Sequence, residues 1–268
     1  MADDSSRLKP LIRGAWKKFW EAVKDADVVL EVLDPRDPEA FRMKEVEKKL
    51  EEMGKKIILV INKADLVPKE VLEAWKKTLS REYPTIYISA RHRLGTGKLR
   101  KLIYKVAGKK DEISIAVVGF PNVGKSTIIN ILKGSHSAPT GALPGVTKAL
   151  QRIRRGRLII LDTPGVFPIE DTSSLVYKGA LRVENLDDPV FHAIELIEKL
   201  KEIDKDVLKR TYGFDYEDPM KFLEEFAKRR GKLMKGGQPN IKEAAKIVLR
   251  DWQNGKIVVW ILPDKYKR

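Results

Sequence analysis

The chain has no cysteine among its 268 residues, and histidine is scarce, with three copies. The missing cysteine excludes disulfide bonds and every metal site built on thiolates. His92, His136 and His192 show no ligand spacing, so we interpret each as a surface or loop residue. Long apolar runs are also missing, since none approaches the ~20 residues of a membrane-spanning helix.

The start of the chain is acidic and polar, unlike a secretory signal. Together with the absences above, it leads us to expect a cytoplasmic protein with neither a membrane nor a disulfide-linked partner. The length suits one α/β domain and a smaller one, which we place at residues 1–170 and 171–268. The composition does not determine the oligomeric state.

The net charge of +15 is the strongest compositional signal. So large a basic excess favours polyanions such as RNA, and the alternative is a generally basic, solvated surface. Clustering favours RNA, because residues 91–110 and 148–157 contain no acidic side chain. Residues 221–268 carry 13 Lys and Arg against 5 Asp and Glu. Within them, a glycine-punctuated basic loop at 228–237 is expected to contact RNA rather than serve as a plain connector.

A phosphate-binding loop is predicted from the pattern G-x-x-x-x-G-K-[ST], found at Gly119, Gly124, Lys125 and Ser126. A buried-strand run precedes it at 113–118, and a helix start follows at 126–132. The glycines let backbone N–H groups close around phosphate oxygens, and the helix N-terminus adds partial positive charge. Lys125 should then reach the β- and γ-phosphates, and Ser126 should hold Mg²⁺. The other loop residues assigned to nucleotide binding are Asn122, Val123 and Thr127.

A guanine-reading motif, N-K-x-D, follows the predicted strand 56–61 at Asn62, Lys63 and Asp65. The Asp65 carboxylate can accept two hydrogen bonds from the N1–H and N2–H₂ edge of guanine, a donor pair that adenine lacks. We expect the Lys63 stem to pack on the base and the Asn62 amide to brace its loop against the phosphate loop. Ser89 and Ala90, after the next strand, complete the base-binding set.

Two switch segments are predicted downstream of the phosphate loop. Asp162 follows the apolar run 158–161 and should contact Mg²⁺ through water, while the Gly165 N–H should sense the γ-phosphate. The alternative is a plain turn, because Asp, Pro and Gly all favour turns. Thr147 is our candidate for the first-switch threonine that closes over Mg²⁺, with Thr140 as the neighbouring alternative. Lys125, Thr147 and Gly165 form the predicted catalytic set.

The base-reading motif precedes the phosphate loop, which reverses the usual order. A doubly wound α/β sheet binds ligands at the carboxyl ends of its strands, and nothing in that geometry fixes where the chain starts. Domain termini often lie close together, so circular permutation is tolerated. We therefore predict a P-loop GTPase fold that is circularly permuted, followed by a small, mostly helical domain.

The ordered motifs resemble the circularly permuted GTPases of the ribosome-assembly group, the YlqF (RbgA) and nucleostemin-like family. Besides the motifs above, the matching segments are Asp34-Pro35-Arg36-Asp37-Pro38 and Pro144-Gly145-Val146-Thr147. The resemblance implies GTP hydrolysis to GDP, coupled to maturation of the large ribosomal subunit and contact with its RNA. It also implies that Asn122 helps to hold a potassium ion near the phosphates.

One position departs from the small-GTPase pattern, since Val166 follows Gly165 where a water-orienting Gln would stand. Slow intrinsic hydrolysis is therefore expected, with a ribosomal particle or a monovalent cation supplying what is missing. Two alternatives remain open: a GTPase acting on another RNA such as tRNA or on an RNA-modifying partner, and a GTP-binding scaffold whose hydrolysis is too slow to matter.

The last third of the chain has helical periodicity. The pattern predicts helices at 190–202, 204–212, 220–230 and 241–254, followed by a short strand-like run at 257–262. We expect a small helical domain.

Overall fold

Two units make up the fold. The computed structural model describes residues 16–17, 19–134, 152–161, 163, 166–168 and 170–266. The first unit comprises Met1–Pro168 and Leu262–Arg268, and the second comprises Ile169–Ile261. The predicted boundary at residue 170 lies close to the crossing between the units, but residues 262–268 had been assigned to the second domain.

A six-stranded sheet forms the centre of the first unit, in the order β3-β2-β1-β4-β6-β5. Its core strands are apolar and β-branched, as expected for strands covered on both faces. Five strands are parallel, and β5 pairs with β6 in the antiparallel sense. The strands are β1 (Val28–Leu33), β2 (Lys56–Ile61), β3 (Thr85–Tyr87), β4 (Ile113–Val118), β5 (Arg152–Arg155) and β6 (Leu158–Leu161).

Four of the helices in the described part of the chain connect these strands and cover the two faces of the sheet. The chain steps outward from β1 to β3, returns to β4 and then continues to β6. Because parallel crossovers are right-handed, the helices of the outward steps lie on one face and those of the return on the other. The outward helices are α1 (Lys44–Glu52) and α2 (Lys69–Leu79), and the return helices are α3 (Thr96–Ala107) and α4 (Lys125–Lys133). The predicted doubly wound, permuted sheet is confirmed.

The second unit is helical, as predicted. Asp188, Asp218 and Asn240 each cap a helix by accepting a hydrogen bond from a backbone N–H of its first turn. Phe222, Phe226 and Trp252 are fully buried in its core. The helices are α5 (Thr172–Tyr177), α6 (Pro189–Ile203), α7 (Val207–Tyr212), α8 (Pro219–Arg229) and α9 (Ile241–Gln253).

The strand predicted at residues 257–262 is wrong. The expected alternation is present, since Ile257, Val259 and Ile261 are buried while Trp260 and Leu262 are exposed. No strand of the described residues pairs with this segment, so the alternation reflects an extended chain lying on a core.

After this segment the chain rejoins the first unit. Residues Pro263–Tyr266 form a 3₁₀ turn. The Tyr266 hydroxyl donates to the Asp37 carboxylate at 2.7 Å, and its ring lies 5.9 Å from that of Trp75. The contact raises the pKa of Tyr266 through burial and the nearby Asp37 charge.

None of the helices described here is both long enough and apolar enough to cross a bilayer.

Candidate nucleotide-binding site

The predicted motifs meet at one edge of the sheet. The loops at residues 34–38, 62–65, 89–90 and 119–124 all follow the carboxyl ends of parallel strands. The step direction reverses between β1 and β4, which is where doubly wound sheets open a ligand crevice. The fold therefore brings the base-reading and phosphate-binding segments to a common edge.

Two glycines shape the phosphate loop. Gly119 has a φ of 134°, and a Cβ there would lie 2.5 Å from the Val32 carbonyl oxygen. Gly124 has a φ of 99°, and a Cβ there would overlap the Asn62 side-chain nitrogen. Any other residue would strain the backbone at both positions. The loop is thus held against both β1 and the base-reading segment, and it leaves a cradle of backbone suited to phosphate oxygens.

Lys125 opens α4 directly after the loop. Its ammonium donates to the carbonyl oxygens of Gly119 at 2.8 Å and Phe120 at 2.6 Å. Desolvation lowers the pKa of Lys125 to about 8. The cation therefore lies over the loop where the phosphates are expected, and an anion beside it would favour its protonated form.

The Asn62 amide bridge that the sequence predicts is present. Its Nδ2 donates to the Val123 carbonyl at 2.8 Å, and its Oδ1 accepts from the Ala90 N–H at 3.0 Å. The side chain is 2% exposed, so both bonds lie out of water. One residue thus ties the phosphate loop to the loop after β3.

The Asp65 carboxylate is held at the crevice by a neighbouring loop. The Ser89 hydroxyl donates to its Oδ1, and His92 Nε2 lies 3.7 Å from its Oδ2. The Asp65 side chain remains 29% exposed, which leaves acceptor capacity toward a ligand. Ser89 therefore positions the carboxylate rather than burying it.

A buried ion-pair chain orients Lys63, and sequence reasoning did not identify it. Asp34 is 1% exposed and accepts from Arg36 Nε at 2.8 Å and from Lys63 Nζ at 3.1 Å. Burial alone would raise the pKa of Asp34, but the Arg36 and Lys63 charges outweigh it and hold that pKa well below its usual range. Lys63 itself adopts a left-handed backbone with φ 55°. The sequence signals were an aspartate directly after a buried strand and the family-matching segment Asp34-Pro35-Arg36-Asp37-Pro38, to which no contact had been assigned.

Some of the other predicted site residues lie at the phosphate loop, and others fall outside the described part of the chain. Asn122 (φ 61°) and Ser126 are exposed at the loop and the start of α4, with Thr127 half-buried beside them. Thr163 donates to the Val117 carbonyl at 2.5 Å and joins the end of β6 to β4. The predicted switch residues lie outside the described residues: Thr140, Thr147, Asp162 and Gly165.

The donor set fits a nucleotide with its magnesium ion better than a metal held by protein alone. Across the described part of the chain, no group of three or more His, Cys, Asp or Glu side chains could hold a metal ion. A hydroxyl at the end of a phosphate cradle suits Mg²⁺, which keeps water and substrate-phosphate ligands.

Comparison with known proteins agrees with this geometry. Residues 114–223 match a family described as 50S ribosome-binding GTPase. The fold superposes on GNP-bound YlqF from T. maritima with a TM-score of 0.66 and 26% identity, covering 94% of this chain and 99% of that one. The GDP-bound form of T. maritima YlqF gives a TM-score of 0.65.

The fold is therefore that of the circularly permuted GTPase YlqF. Its sequence relatives carry related names. It is 42% identical, over 88% of its length, to an uncharacterised GTP-binding protein of Methanocaldococcus jannaschii. It is 38% identical to nuclear/nucleolar GTPase 2 of Arabidopsis thaliana over 93% of its length, and 38% identical to nucleolar GTP-binding protein 2 of Schizosaccharomyces pombe over 98%. It spans only 64%, 45% and 50% of these three proteins.

The second unit contains a polar cluster that the sequence did not suggest. His192 was expected on the surface or in a loop, but it lies in α6 with a side chain only 11% exposed. Its Nδ1 lies 2.9 Å from the Ser173 hydroxyl, which also donates to Glu195. Ser173 and Glu195 both approach Nδ1 of His192. A hydrolase relay needs the serine at one ring nitrogen and the carboxylate at the other, so this cluster does not form one.

Proposed function

We propose that this protein binds GTP at the crevice above β1 and β4, hydrolyses it, and uses its nucleotide state to control binding to a precursor of the large ribosomal subunit. One observation supports this most strongly. Asn62 bonds to both Val123 and Ala90, so the predicted base-reading and phosphate-binding segments lie side by side despite their reversed order, which supports a common nucleotide site.

The base-binding half would select guanine. Asp65, held by Ser89, would accept from the N1–H and N2–H₂ edge of the base. The Lys63 stem, directed by Asp34, would pack on the face of the base. Adenine offers no matching donors, so ATP would leave the carboxylate unpaired.

The phosphate half would stabilise charge during hydrolysis. Water attacks the γ-phosphorus, the bond to the β-phosphate oxygen breaks, and GDP and phosphate leave. Backbone N–H groups of residues 122–127 and the Lys125 ammonium would bind the phosphate oxygens. Ser126, Thr147 and Asp162 would hold Mg²⁺, which neutralises charge on the phosphates when bound. Asn122 would hold a potassium ion beside them, and Gly165 would donate its N–H to the γ-phosphate.

Slow hydrolysis by the isolated protein is part of this proposal. Val166 is 5% exposed and apolar, so it offers no group to orient the attacking water. A second component would have to supply that group or charge.

The ribosomal partner is inferred from the relatives and from charge. The matching family is described as ribosome-binding, and two relatives are named as nucleolar proteins. The net charge of +15 suits RNA. The basic loop at residues 228–237 is exposed along its whole length, which supports a contact there.

The test combines phosphate release with sedimentation. Phosphate release from GTP should be slow for the protein alone and should rise at least about tenfold with purified large ribosomal subunits and KCl. Co-sedimentation with these subunits should be stronger in a non-hydrolysable GTP analogue than in GDP. Lys125→Ala should abolish tight nucleotide binding and, with it, both effects.

Each contrary result has a defined meaning. Unchanged nucleotide affinity in Lys125→Ala would remove the phosphate-loop assignment. Release that stays at background with saturating subunits and KCl would favour a GTP-binding scaffold. Nucleotide-independent sedimentation, with tight binding to tRNA instead, would favour another RNA target.

A further inference from the structure

The two acid-free basic stretches of the first unit come together on one face of the sheet. Arg157, which lies between β5 and β6, has its guanidinium carbon 5.7 Å from the centre of the Tyr104 ring on α3. Arg100 of α3 donates to the carbonyl oxygens of Ile131 and Leu132 at the end of α4. The β5–β6 hairpin, α3 and α4 are therefore neighbours, and we call their outer surface the α3–hairpin face.

A stripe of lysines points outward along α3. Lys98, Lys101 and Lys105 recur at positions i, i+3 and i+7, so they share one side of the helix. That side lies opposite the buried Leu99 and Ile103. All three lysines are exposed, and none forms a close ion pair with a carboxylate within the described ranges. The Lys98 charge is near enough to Glu73 of α2 to contribute to the lowered pKa of that carboxyl group.

The hairpin adds two further cations to this face. Arg155 lies against Gly134 at the end of α4, where a Cβ would be 3.2 Å from its guanidinium. Arg155 and Arg157 are exposed, and neither pairs with a carboxylate of the described residues, unlike Arg152 and Arg154. A cleft of about 250 Å³ between α3 and α4 is lined by Arg93, Arg100 and Asn130 among others.

The opposite face of the same sheet is nearly neutral. α1 (KEVEKKLEE) has three lysines and four glutamates, and α2 (KEVLEAWKKTL) has three lysines and two glutamates. By contrast, α3 has four basic residues and no acidic one. In β5, Arg152 and Arg154 are paired with Asp25 and Glu112, which leaves Arg155 as the cation that this strand adds to the face. Positive charge is thus concentrated on one face rather than spread over the surface.

We propose that the α3–hairpin face binds the phosphate backbone of folded RNA, without reading its base sequence. The inference rests on the proposed function for its choice of RNA and adds a binding surface on the GTPase unit itself. Lysine ammonium groups on a helix act as mobile point charges that can follow a row of phosphates. Tyr104 is 36% exposed beside Arg157, so it adds an aromatic side chain at the margin of the row.

The pattern fits RNA better than an acidic protein. Protein interfaces are depleted of lysine at their centre and contain apolar anchors. Here lysine occupies the centre of the face, and the only large exposed side chains with apolar character between residues 91 and 110 are Leu94 and Tyr104. An extended row of cations without anchors matches a polyanion with regular charge spacing.

The test compares two triple charge reversals of equal net charge. One is Lys98→Glu, Lys101→Glu and Lys105→Glu on the proposed face. The matched control is Lys48→Glu, Lys69→Glu and Lys77→Glu, all exposed on the opposite face. A short fluorescent RNA duplex is titrated against each full-length variant at several KCl concentrations, and a fluorescent GDP analogue reports the nucleotide site.

We expect the first variant to lose about 10- to 100-fold in RNA affinity, and its log–log salt slope to fall by about 2 to 3. The RNA affinity of the control should change by less than about threefold. Both variants should bind the GDP analogue as tightly as the wild type does. Equal losses in the two variants would overturn the proposal, since only net charge would matter. Polyglutamate, titrated in the same way, tests for an acidic protein partner. If the first variant loses as much affinity for polyglutamate as for RNA, the proposal is overturned in favour of such a partner. If RNA binding is unaffected while nucleotide-dependent sedimentation persists, this inference fails and the proposed function stands.

Discussion

The two halves of the proposed nucleotide site use different parts of the polypeptide. The base-binding half depends on side chains: Asp34, Asn62, Asp65 and Ser89 all make hydrogen bonds or ion pairs within or between loops. The phosphate half depends on the backbone, with glycines at 119 and 124 and a lysine bonded to its own loop carbonyls. Side chains give selectivity, whereas backbone groups bind any phosphate of the right shape.

This difference predicts how each half fails. A substitution in the base half should change which nucleotide binds, and one in the phosphate half should change how tightly every nucleotide binds. Asn62 belongs to both halves, so it should give an intermediate result.

The largest expected effect is a change of specificity in Asp65→Asn. The substitution replaces one carboxylate oxygen, an acceptor, with an amide NH₂ group, a donor. A donor suits the 2-oxo group of xanthine and opposes the 2-amino group of guanine. GTP affinity should fall by a factor on the order of 10² to 10⁴, and xanthosine triphosphate should become the better ligand. Competition against a fluorescent nucleotide measures both. Ser89→Ala keeps the Asp65 carboxylate, so it should lower GTP affinity several-fold without changing the preference for guanine. Retained GTP preference in Asp65→Asn would show that this carboxylate does not read the base.

A smaller effect is expected from Asn62→Ala. The buried Val123 carbonyl and Ala90 N–H would both lose their partner, at a cost of about 1–3 kcal/mol each. GDP affinity should fall about 10- to 100-fold, as measured by titration of a fluorescent analogue. Thr163→Val removes only the hydrogen bond to the Val117 carbonyl, inside the phosphate half, so GDP affinity should fall less than in Asn62→Ala. Wild-type affinity in Asn62→Ala would mean that the two halves do not depend on this bridge.

The smallest effect is a pH dependence that arises from Lys125. Its pKa is lowered to about 8 in the free protein, and bound phosphates should raise it. Binding should therefore take up a proton above about pH 8, and affinity should fall roughly eightfold from about pH 7.5 to about pH 9. Calorimetry in buffers of different ionisation enthalpy would detect the proton. Lys125→Arg stays charged over this range, so its weaker binding should be independent of pH. The same decline in that variant would assign the proton to another group.

The sequence predicts the sheet and the phosphate loop well because both depend on local patterns. The runs at β1, β2 and β4 are continuous and apolar, and the loop glycines are fixed by spacing. The Asn62 bridge could be predicted because the motif pair implies it.

Pairings set by loop geometry could not be predicted. Asp34 meets Lys63 across 29 positions, and the buried Arg42 forms a bidentate pair with the exposed Glu82 across 40. Nothing in local periodicity indicates such partners. Residues 257–262 alternate as a strand does, but a strand needs a neighbour, and sequence alone does not show one. His192 falls on a helix that was predicted, but its partner Ser173 lies on another helix 19 positions away.

Residues 262–266 return to the first unit, so the helical unit is inserted into the polypeptide of the first unit. The polypeptide leaves the first unit at Pro168 and re-enters it at Leu262, so two peptide crossings join the units. Shortening the protein at Pro168 would therefore also remove Tyr266 from Asp37 and Trp75. To keep the first unit intact without the second, Ile169–Ile261 would have to be excised and the two cut ends rejoined by a linker.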